Sequence, residues 1–480
     1  MPDPAVVLFT LKLLVVALPA GLLLTLGLAS LFDYGLTESR TAQLVRWSVV
    51  GALVSAVGVF MTMLTTGERH VTLDLGDWVS IHSDQHGHGE GSEYHFKVKL
   101  IFDRLSVPFV MLSLELCGTI GGFASRYMHR EPGYNRFFTL YSIFMFGMVL
   151  TATAGTIETL FTGWEMVGLS SALLVAFFQE RPNPARNGLR VWIVYRISDA
   201  ALLLAAVVLH QMAGKGDFDQ LLGTGSWPGG QTSVSETQAL VVGLLLVVAA
   251  AGKSGLIPFS GWLPRAMEGP TPSSAVFYGA LSVHLGAYML LRVSPLLDAS
   301  LPLSVVVVVL GLLTAVVAYL IGSVQTDIKS ALSFASLGQV GIIVAEIGFG
   351  LRFVPLVHLL GHASLRTLQF VRAPTLLLDY KALENAIGER LPRASVVWIK
   401  YTSAGFQRWL FRFALERGYL DALLTNYIAT PFLKFFRRLD RFERRITAAI
   451  AGQTPGEEIA EIKGVFTAEN AENAERIQQN

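Results

Sequence analysis

The chain has 480 residues, of which 52% are hydrophobic and only 15% are charged, and its formal net charge at pH 7 is +1. Soluble globular domains usually carry about 25% charged residues, so the composition excludes most cytosolic enzymes, and the small net charge excludes a general nucleic-acid binder. The single cysteine, Cys117, excludes an intramolecular disulfide and a cysteine-ligated metal cluster. Because about 20 apolar residues cross a bilayer, the sequence predicts an all-α, polytopic helical membrane protein.

Eleven apolar segments are long enough to be membrane spans. In chain order they cover residues 5–32, 45–65, 98–123, 138–154, 157–178, 191–211, 240–258, 272–291, 303–322, 328–348 and 354–378. The seventh contains Pro258, which predicts a broken helix. The first is too long for a signal peptide and shows no clear cleavage site, so we expect an uncleaved anchor.

The distribution of basic residues predicts the orientation. The loops on one side of the predicted spans contain Arg40, Arg46, Arg126, Arg130, Arg136, Arg181, Arg186 and Arg190. The loops on the other side contain little more than Arg69, Lys97, Lys215, Arg292 and Arg352. Because basic loops stay in the cytoplasm, we expect the N-terminus to lie outside the membrane.

The polar segments suggest four regions along the chain. Residues 1–97 hold the first helices and an external loop, and residues 98–378 are the predicted main membrane domain. Residues 379–452 are basic and amphipathic, which is typical of helices on the cytoplasmic membrane surface. Residues 453–480 are polar and poor in aromatic residues, which predicts disorder.

The external loop is rich in potential metal ligands. They are His82, Asp84, His86, His88, Glu90, Glu93 and His95. Such side chains could hold a metal ion, but the interleaved glycines favour a solvated turn. We therefore predict no metal site.

Ionisable residues inside the apolar spans carry the functional prediction, because such groups are costly in a bilayer and usually line ion routes or pair with each other. The candidates are Glu158, Glu165, Lys253, His284, His358, His362 and Arg366. Each alone could be a packed ion pair or a hydrogen-bonded core residue. Lysine and carboxyl groups withdrawn from water titrate closer to neutral pH, where histidine already titrates. Together the set predicts proton transport along side chains and water.

Two features of this set concern position. Glu158 and Glu165 lie two helical turns apart on the fifth span, and the last three candidates recur every four residues on the eleventh, as one polar stripe. Three other charged residues are nearer to predicted span ends, where snorkelling to the interface is a sufficient explanation. They are Asp199, Asp327 and Lys329.

Several motifs resemble the antiporter-like membrane subunits of respiratory complex I, in particular subunit L of bacterial NADH-quinone oxidoreductase. The matching stretches are GWEMVGL at 163–169, RP at 181–182, RISD at 196–199, GKS at 252–254, WLP at 262–264, AMEGPTP at 266–272, DIK at 327–329, SLGQ at 336–339 and HLLGHA at 358–363. The large subunit of multisubunit cation/proton antiporters and the membrane subunit of inorganic-carbon uptake complexes are related families. The resemblance implies that Glu165 is the coupling carboxylate, that Lys253 is the central proton carrier, and that His358 and His362 belong to a connecting polar axis.

The chain also departs from this family. Arg265 stands where the family has an aspartate, Phe277 and Tyr278 replace a histidine, and Arg366 replaces a lysine. Since arginine does not release its proton, we expect Arg366 to act as a fixed charge. The resemblance further implies a C-terminal part shortened after Leu378, followed by a segment similar to the start of the family's lateral helix at 417–433.

The leading prediction is a proton-translocating subunit of a complex I-like assembly, working with other membrane subunits and binding no cofactor. Any catalytic role is limited to that of a non-redox subunit of a translocating oxidoreductase. Three alternatives stay open: a proton-gradient-driven subunit of an inorganic-carbon uptake complex, a Na⁺/H⁺ antiporter subunit, and a non-pumping scaffold. The resemblance to subunit L implies a bacterial inner membrane.

Overall fold

The computed structural model describes residues 4–81, 94–213, 216–223, 226–388 and 402–451. The loop residues from His82 to Glu93 and the tail at 453–480 lie outside the described residues, so the predictions made for them stay open. Within the described part, no group of three or more histidine, cysteine or acidic residues could hold a metal ion.

Two long helices and an antiparallel hairpin form the N-terminal part. They are α1 (Pro4–Leu31), α2 (Glu38–Thr66), β1 (His70–Ile81) and β2 (Tyr94–Asp103). Thr37 caps α2 by accepting a hydrogen bond from the Arg40 N–H, and Gly67, at φ 75°, ends it. The prediction of a span from residue 98 is wrong at its start, because 98–103 is strand and the helix begins at Ser106. Apolar residues alternate with lysines up to residue 100, which is the strand period.

The rest of the described chain is helical. The helices are α3 (Ser106–Tyr127), α4 (Tyr134–Thr153), α5 (Ile157–Val175), α6 (Pro182–Ala213), α7 (Phe218–Leu222), α8 (Glu236–Ser254), α9 (Thr271–Ser273), α10 (Leu285–Arg292), α11 (Ser294–Ala299), α12 (Leu301–Gly322), α13 (Ile328–Gly348), α14 (Phe353–Ile387), α15 (Ala404–Leu415), α16 (Leu420–Leu423) and α17 (Thr430–Ala451). Nine helical segments in the described ranges are long and apolar enough to span a membrane. This confirms a multi-pass helical architecture. Helices α5 and α14 are not among the nine; both carry ionisable side chains, which lower their mean hydropathy.

The loops alternate between two ends of the helical bundle. At one end, which we call the hairpin end, β2 bridges from Leu100 to Ala154, and Asp217 bridges to Thr156. At the other, the arginine-rich end, Glu38 accepts a hydrogen bond from the Arg130 N–H at 3.0 Å. These contacts join loops that the sequence assigns to the same side of a membrane.

The seventh span is broken, as predicted. Helix α8 ends at Ser254, Gly255 adopts φ 68°, and two 3-10 turns follow, at Phe259–Trp262 and Pro264–Glu268. The break frees backbone groups, which other residues satisfy: Trp262 Nε1 donates to the Gly252 carbonyl at 3.1 Å, and Thr314 Oγ1 accepts from the Ile257 N–H at 3.2 Å. The break places Lys253 in the last turn of α8.

The next span is also irregular. It runs from Thr271 to Arg292 and is fully buried within the bundle. Between α9 and α10 it contains a π-helical stretch, Ser274–Leu281, and a 3-10 turn, Ser282–His284. Such widened turns reorient side chains inside a helix and frequently occur at functional sites. Here the irregular stretch ends at His284.

The chain divides into two compact units, with a boundary after Asp421. The second unit contains α17, whose exposed apolar residues recur at helical spacing. They are Phe435, Leu439, Phe442, Ile446 and Ile450. Arginines lie between them in sequence, so α17 has the amphipathic, basic pattern predicted for this segment. A position on the membrane surface stays a prediction.

Close packing of α4 on α5 makes Gly163 a sensitive position. A Cβ atom there would lie 2.4 Å from Thr151 Oγ1 and 2.6 Å from the Thr151 backbone nitrogen. We expect Gly163→Ala to lower stability by about 1–3 kcal/mol, the usual cost of overpacking. The matched control is Gly361→Ala in α14, where nothing lies within 4 Å, and where alanine should favour the helix. Thermal unfolding of both variants in detergent measures the difference, and equal melting temperatures would contradict the packing account.

Candidate functional site

Four charged side chains from three helices form a continuous series inside the bundle, which we call the charge chain. Arg196 of α6 donates through Nη2 to Glu165 Oε2 of α5 and, at 2.9 Å, to Asp199 Oδ2. Lys253 Nζ of α8 lies 3.7 Å from Asp199 Oδ1. Asp199 is 2% exposed and Lys253 is 0% exposed. Acidic and basic groups therefore alternate, and each buried charge has an opposite charge beside it.

Trp164 holds the inner half of the charge chain. Its Nε1 donates to Asp199 Oδ1 at 2.6 Å, and its carbonyl accepts from Lys253 Nζ at 3.0 Å. The Lys253 ammonium also lies 4.9 Å from the Trp164 ring and 4.4 Å from the Tyr195 ring, within cation–π distance. A Cβ at Gly168 would be 2.8 Å from Nζ, so any larger residue there would displace the ammonium. The ammonium is held by aromatic faces, a carbonyl and a carboxylate.

The prediction that Asp199 snorkels from a span end is wrong. Helix α6 begins at Pro182, nine residues before the predicted span, so Asp199 is close to the helix middle and not to its end. Arg196 was outside the predicted site as well. Their i, i+3 spacing within the apolar stretch of α6 was the available signal, because residues three apart share a helix face.

Glu158 lies outside the charge chain. Its Oε1 is 3.0 Å from His210 Nε2 of α6, beside a cavity of about 150 Å³ at the hairpin end that Lys97 and Asp217 also line. The two glutamates of α5 thus both face α6, as the predicted shared face requires. They pair with different residues, however, so the structure does not bring them together.

Three of the predicted residues form a second series, the histidine chain. His284 Nε2 lies 2.9 Å from His362 Nδ1, and Arg366 Nε donates to His362 Nε2 at 3.0 Å. At the other end, His284 Nδ1 faces the Ala280 carbonyl. The eighth and eleventh predicted spans therefore meet through their histidines.

The ends of the histidine chain determine where its protons lie. A guanidinium only donates and a carbonyl only accepts. His362 must then accept at Nε2 and donate from Nδ1 to His284 Nε2, and His284 must donate from Nδ1 to Ala280. Both rings are neutral in this arrangement, and all the hydrogen bonds point the same way, away from Arg366.

His358 lies on the same polar stripe but binds elsewhere. Its Nδ1 is 3.0 Å from Glu346 Oε1 of α13, and its Nε2 is 3.0 Å from Gln339 Oε1. The centre of its ring is 6.3 Å from that of His362, and both of its ring nitrogens face side chains of α13. Glu346 was missed by the sequence analysis, since its position near the end of an apolar span does not reveal which helix it faces.

A third group of charges lies at the hairpin end, outside the spans. Lys99 donates to Asp219 at 2.6 Å and to Asp217 at 2.8 Å, and His70 Nε2 is 3.2 Å from Asp219. The hydrogen bond to Asp219 raises the pKa of His70 despite partial burial. Burial alone would raise the pKa of Asp219, but the hydrogen bonds from His70 and Lys99 bring it below its usual value.

These opposite shifts predict a window of greatest stability for the hairpin. The Asp219 contribution is present above its unfolded pKa of 3.8 and is lost as the pH falls through the lower folded value. The His70 contribution is complete below 6.5 and is lost as the pH rises through its higher folded value. The protection of β1 amides against hydrogen exchange, measured relative to the intrinsic rate at each pH, should therefore be greatest between about pH 4 and 6.5 in the full chain. In His70→Gln the loss of protection above pH 6.5 should disappear, whereas Asp74→Asn, at a half-exposed carboxylate, should still show it. A loss of protection above pH 6.5 that persists in His70→Gln would contradict this assignment.

Comparisons with known proteins agree with this architecture. A family model described as "NADH:quinone oxidoreductase/Mrp antiporter, TM" matches residues 154–387, and one described as "NADH-Ubiquinone oxidoreductase (complex I), chain 5 N-terminus" matches residues 90–138. Together they cover more than half of the chain and include every residue of the charge chain and the histidine chain.

Individual proteins show the same relationship. NADH-ubiquinone oxidoreductase chain 5 of Schizophyllum commune is 33% identical over 328 residues, which are 68% of this chain and 45% of that protein. The chain 5 protein of Allomyces macrogynus is 29% identical over 329 residues, covering 68% and 49%. This chain thus spans about half the length of these curated relatives.

A solved structure shares the fold. The Mrp complex from Dietzia sp. DQ12-45-1b superposes with a TM-score of 0.62 at 24% identity, over 81% of this chain and 40% of that one. The family models, the relatives and the broken-helix bundle agree with one another. The chain belongs to the family of antiporter-like membrane subunits that includes chain 5 of NADH:quinone oxidoreductase and the Mrp antiporter subunits.

Proposed function

We propose that this protein moves protons across a membrane as one subunit of a multi-subunit complex I-like assembly. The observation that carries the proposal is the charge chain, in which a glutamate and a lysine, both able to exchange protons, occupy the two ends. Lys253 is fully buried at one end, and Glu165 Oε1 at the other is buried with no hydrogen-bond partner among the described residues. Arg196, between them, keeps its proton.

The middle of the charge chain couples its ends electrostatically. If Lys253 loses its proton, Arg196 is the one cation left beside Asp199, and the attraction between Asp199 and Arg196 becomes stronger. The attraction of Arg196 for Glu165 then weakens, which favours protonation of Glu165. Proton release at one end thus favours proton uptake at the other, without any movement of the helices.

Water would connect the charge chain to the histidine chain. The hydroxyl of Ser254 is buried and has no hydrogen-bond partner among the described residues. Ser254 follows Lys253 directly, and its Oγ would lie 2.4 Å from a Cβ atom at Gly286, two residues beyond His284. Buried hydroxyls are usually satisfied by protein or water, so Ser254 marks the most favourable path for a hydrated link.

We further propose an orientation and a location. The arginine-rich end would face the cytoplasm of a bacterium, and the hairpin end and the N-terminus would lie outside the inner membrane. The distribution of basic residues between the two ends supports this orientation. A cysteine introduced at Gly35, at the arginine-rich end, should label only after the membrane is opened.

The test of the function is proton flux by the purified assembly in proteoliposomes, followed with an interior pH dye. We expect acidification or alkalinisation that collapses with a protonophore. Cation exchange is the second candidate, because the matching family model includes Mrp antiporters. Flux that requires a Na⁺ gradient would favour it, whereas no gradient-coupled flux of either ion would contradict both.

The co-purifying subunits decide the type of assembly. Iron–sulfur and flavin proteins would support the complex I-like proposal, whereas a zinc-containing peripheral subunit would favour inorganic-carbon uptake.

A further inference from the structure

A wide apolar groove opens between α12, α13 and α14, away from the charge chain. Its volume is about 620 Å³. It is lined by Ala315, Val316, Tyr319, Phe334, Gly338 and Arg366, with four further side chains. All three helices belong to the first compact unit. The Val316 side chain in this groove is 57% exposed, so the groove is an open surface of the bundle and not an internal cavity.

Arg366 gives the groove its one charged group among the described lining residues. Its guanidinium donates to His362 Nε2 and, at 2.6 Å, to Gln369 Oε1, both neutral acceptors. Within the described part of the chain, no carboxylate lies within 4 Å of it. Glu346, on the neighbouring helix, is engaged by His358. A cation at this depth in a bilayer is costly unless an anion lies beside it.

We propose that this groove receives a membrane-spanning helix of a partner subunit, and that this helix carries an aspartate or glutamate that pairs with Arg366. The apolar walls fit an apolar helix, and a single carboxylate is the complement of the single guanidinium. The proposal rests on the multi-subunit assembly in the proposed function, but not on proton movement itself.

The consequence for the proton route is specific. The partner's carboxylate would lie at the donating end of the histidine chain, next to the group that holds His362 in one tautomer. The carboxylate can exchange protons, so it would supply a titratable group beside Arg366, which itself keeps its proton. The histidine chain would then lead to the interface between the two subunits.

Photocrosslinking of the full assembly tests the proposal, with a benzophenone amino acid in place of Val316. We expect the crosslinked peptide to lie in a membrane-spanning helix of another subunit, with an acidic residue within about one turn of the crosslink. A crosslink to lipid alone, to another segment of this chain, or to a helix without an acidic residue would overturn the proposal.

Two matched pairs of variants sharpen the test. Arg366→Glu should reduce the crosslinked product by about tenfold or more, because like charges would face each other, whereas Arg366→Lys should retain it. Exchanging the partner's acidic residue for lysine should restore the product in Arg366→Glu.

If Arg366→Glu does not fold, Gly338→Leu fills the groove and should also abolish the product. Gly338→Ala is its control, because a Cβ there meets its nearest atoms at an ordinary 3.9 Å.

The outcome is independent of proton transport. The assembly with Lys253→Ala should give the same crosslink even when it carries no protons. An intact flux without the crosslink would therefore refute the groove proposal alone, and a crosslink without flux would refute the proposed function alone.

Discussion

Replacing Lys253 with alanine is expected to abolish proton transport by the assembled complex and to leave assembly intact. Lys253 is the one group in the charge chain that combines complete burial with a releasable proton. Its loss leaves Asp199 hydrogen-bonded to Trp164 and Arg196, so the surrounding helices keep their packing. We expect proton flux in proteoliposomes to fall on the order of 100-fold, the usual contribution of a positioned proton-transfer group.

Lys253→Arg separates charge from proton transfer. Arginine supplies the positive charge next to Asp199 but does not release its proton. The variant should therefore assemble and still fail to transport. Normal flux in Lys253→Arg would show that only a fixed charge is needed at this position.

Replacing Asp199 with alanine is expected to have the largest effect on stability. This carboxylate accepts hydrogen bonds from Trp164 and Arg196 and lies beside Lys253. Its removal leaves the fully buried Lys253 facing Arg196 with no anion between them, and leaving a buried charge unpaired typically costs about 3–5 kcal/mol. We expect a much lower melting temperature and a reduced yield of folded protein in detergent.

Two further variants serve as controls for Asp199→Ala. Asp298→Ala removes a carboxylate that is 56% exposed and pairs with Arg352 at 2.5 Å; an exposed pair contributes less than about 1 kcal/mol. Asp199→Asn keeps an acceptor for Trp164 and loses only the charge. Equal melting temperatures for Asp199→Ala and Asp298→Ala would show that the charge chain does not stabilise the fold.

Much of the architecture could be predicted from the sequence, because membrane spans are long and their signal is compositional. The break after Lys253 followed from Pro258, and Gly255 adds the left-handed turn. The start of the third span could not be predicted from hydropathy alone. Residues 98–103 are apolar enough to extend a helix, but they pair with β1 as a strand.

The site was less predictable, because partner choice depends on which helix faces are in contact. Glu165, Lys253 and His284 were recognised from their position inside apolar spans. The pairing of His362 with His284 joins residues 78 apart in sequence, and spacing within one helix does not contain that information. Asp199 was misplaced for a local reason: α6 begins nine residues earlier than its apolar run.

We propose that protons pass along the charge chain through Glu165 and Lys253. The most direct measurement is the initial rate of proton flux in proteoliposomes that contain equal amounts of intact assembly, with Glu165→Gln and Lys253→Ala tested separately. The proposed function predicts a loss of flux in both variants, with subunit composition unchanged. Flux equal to that of the unmodified assembly in both variants would contradict it.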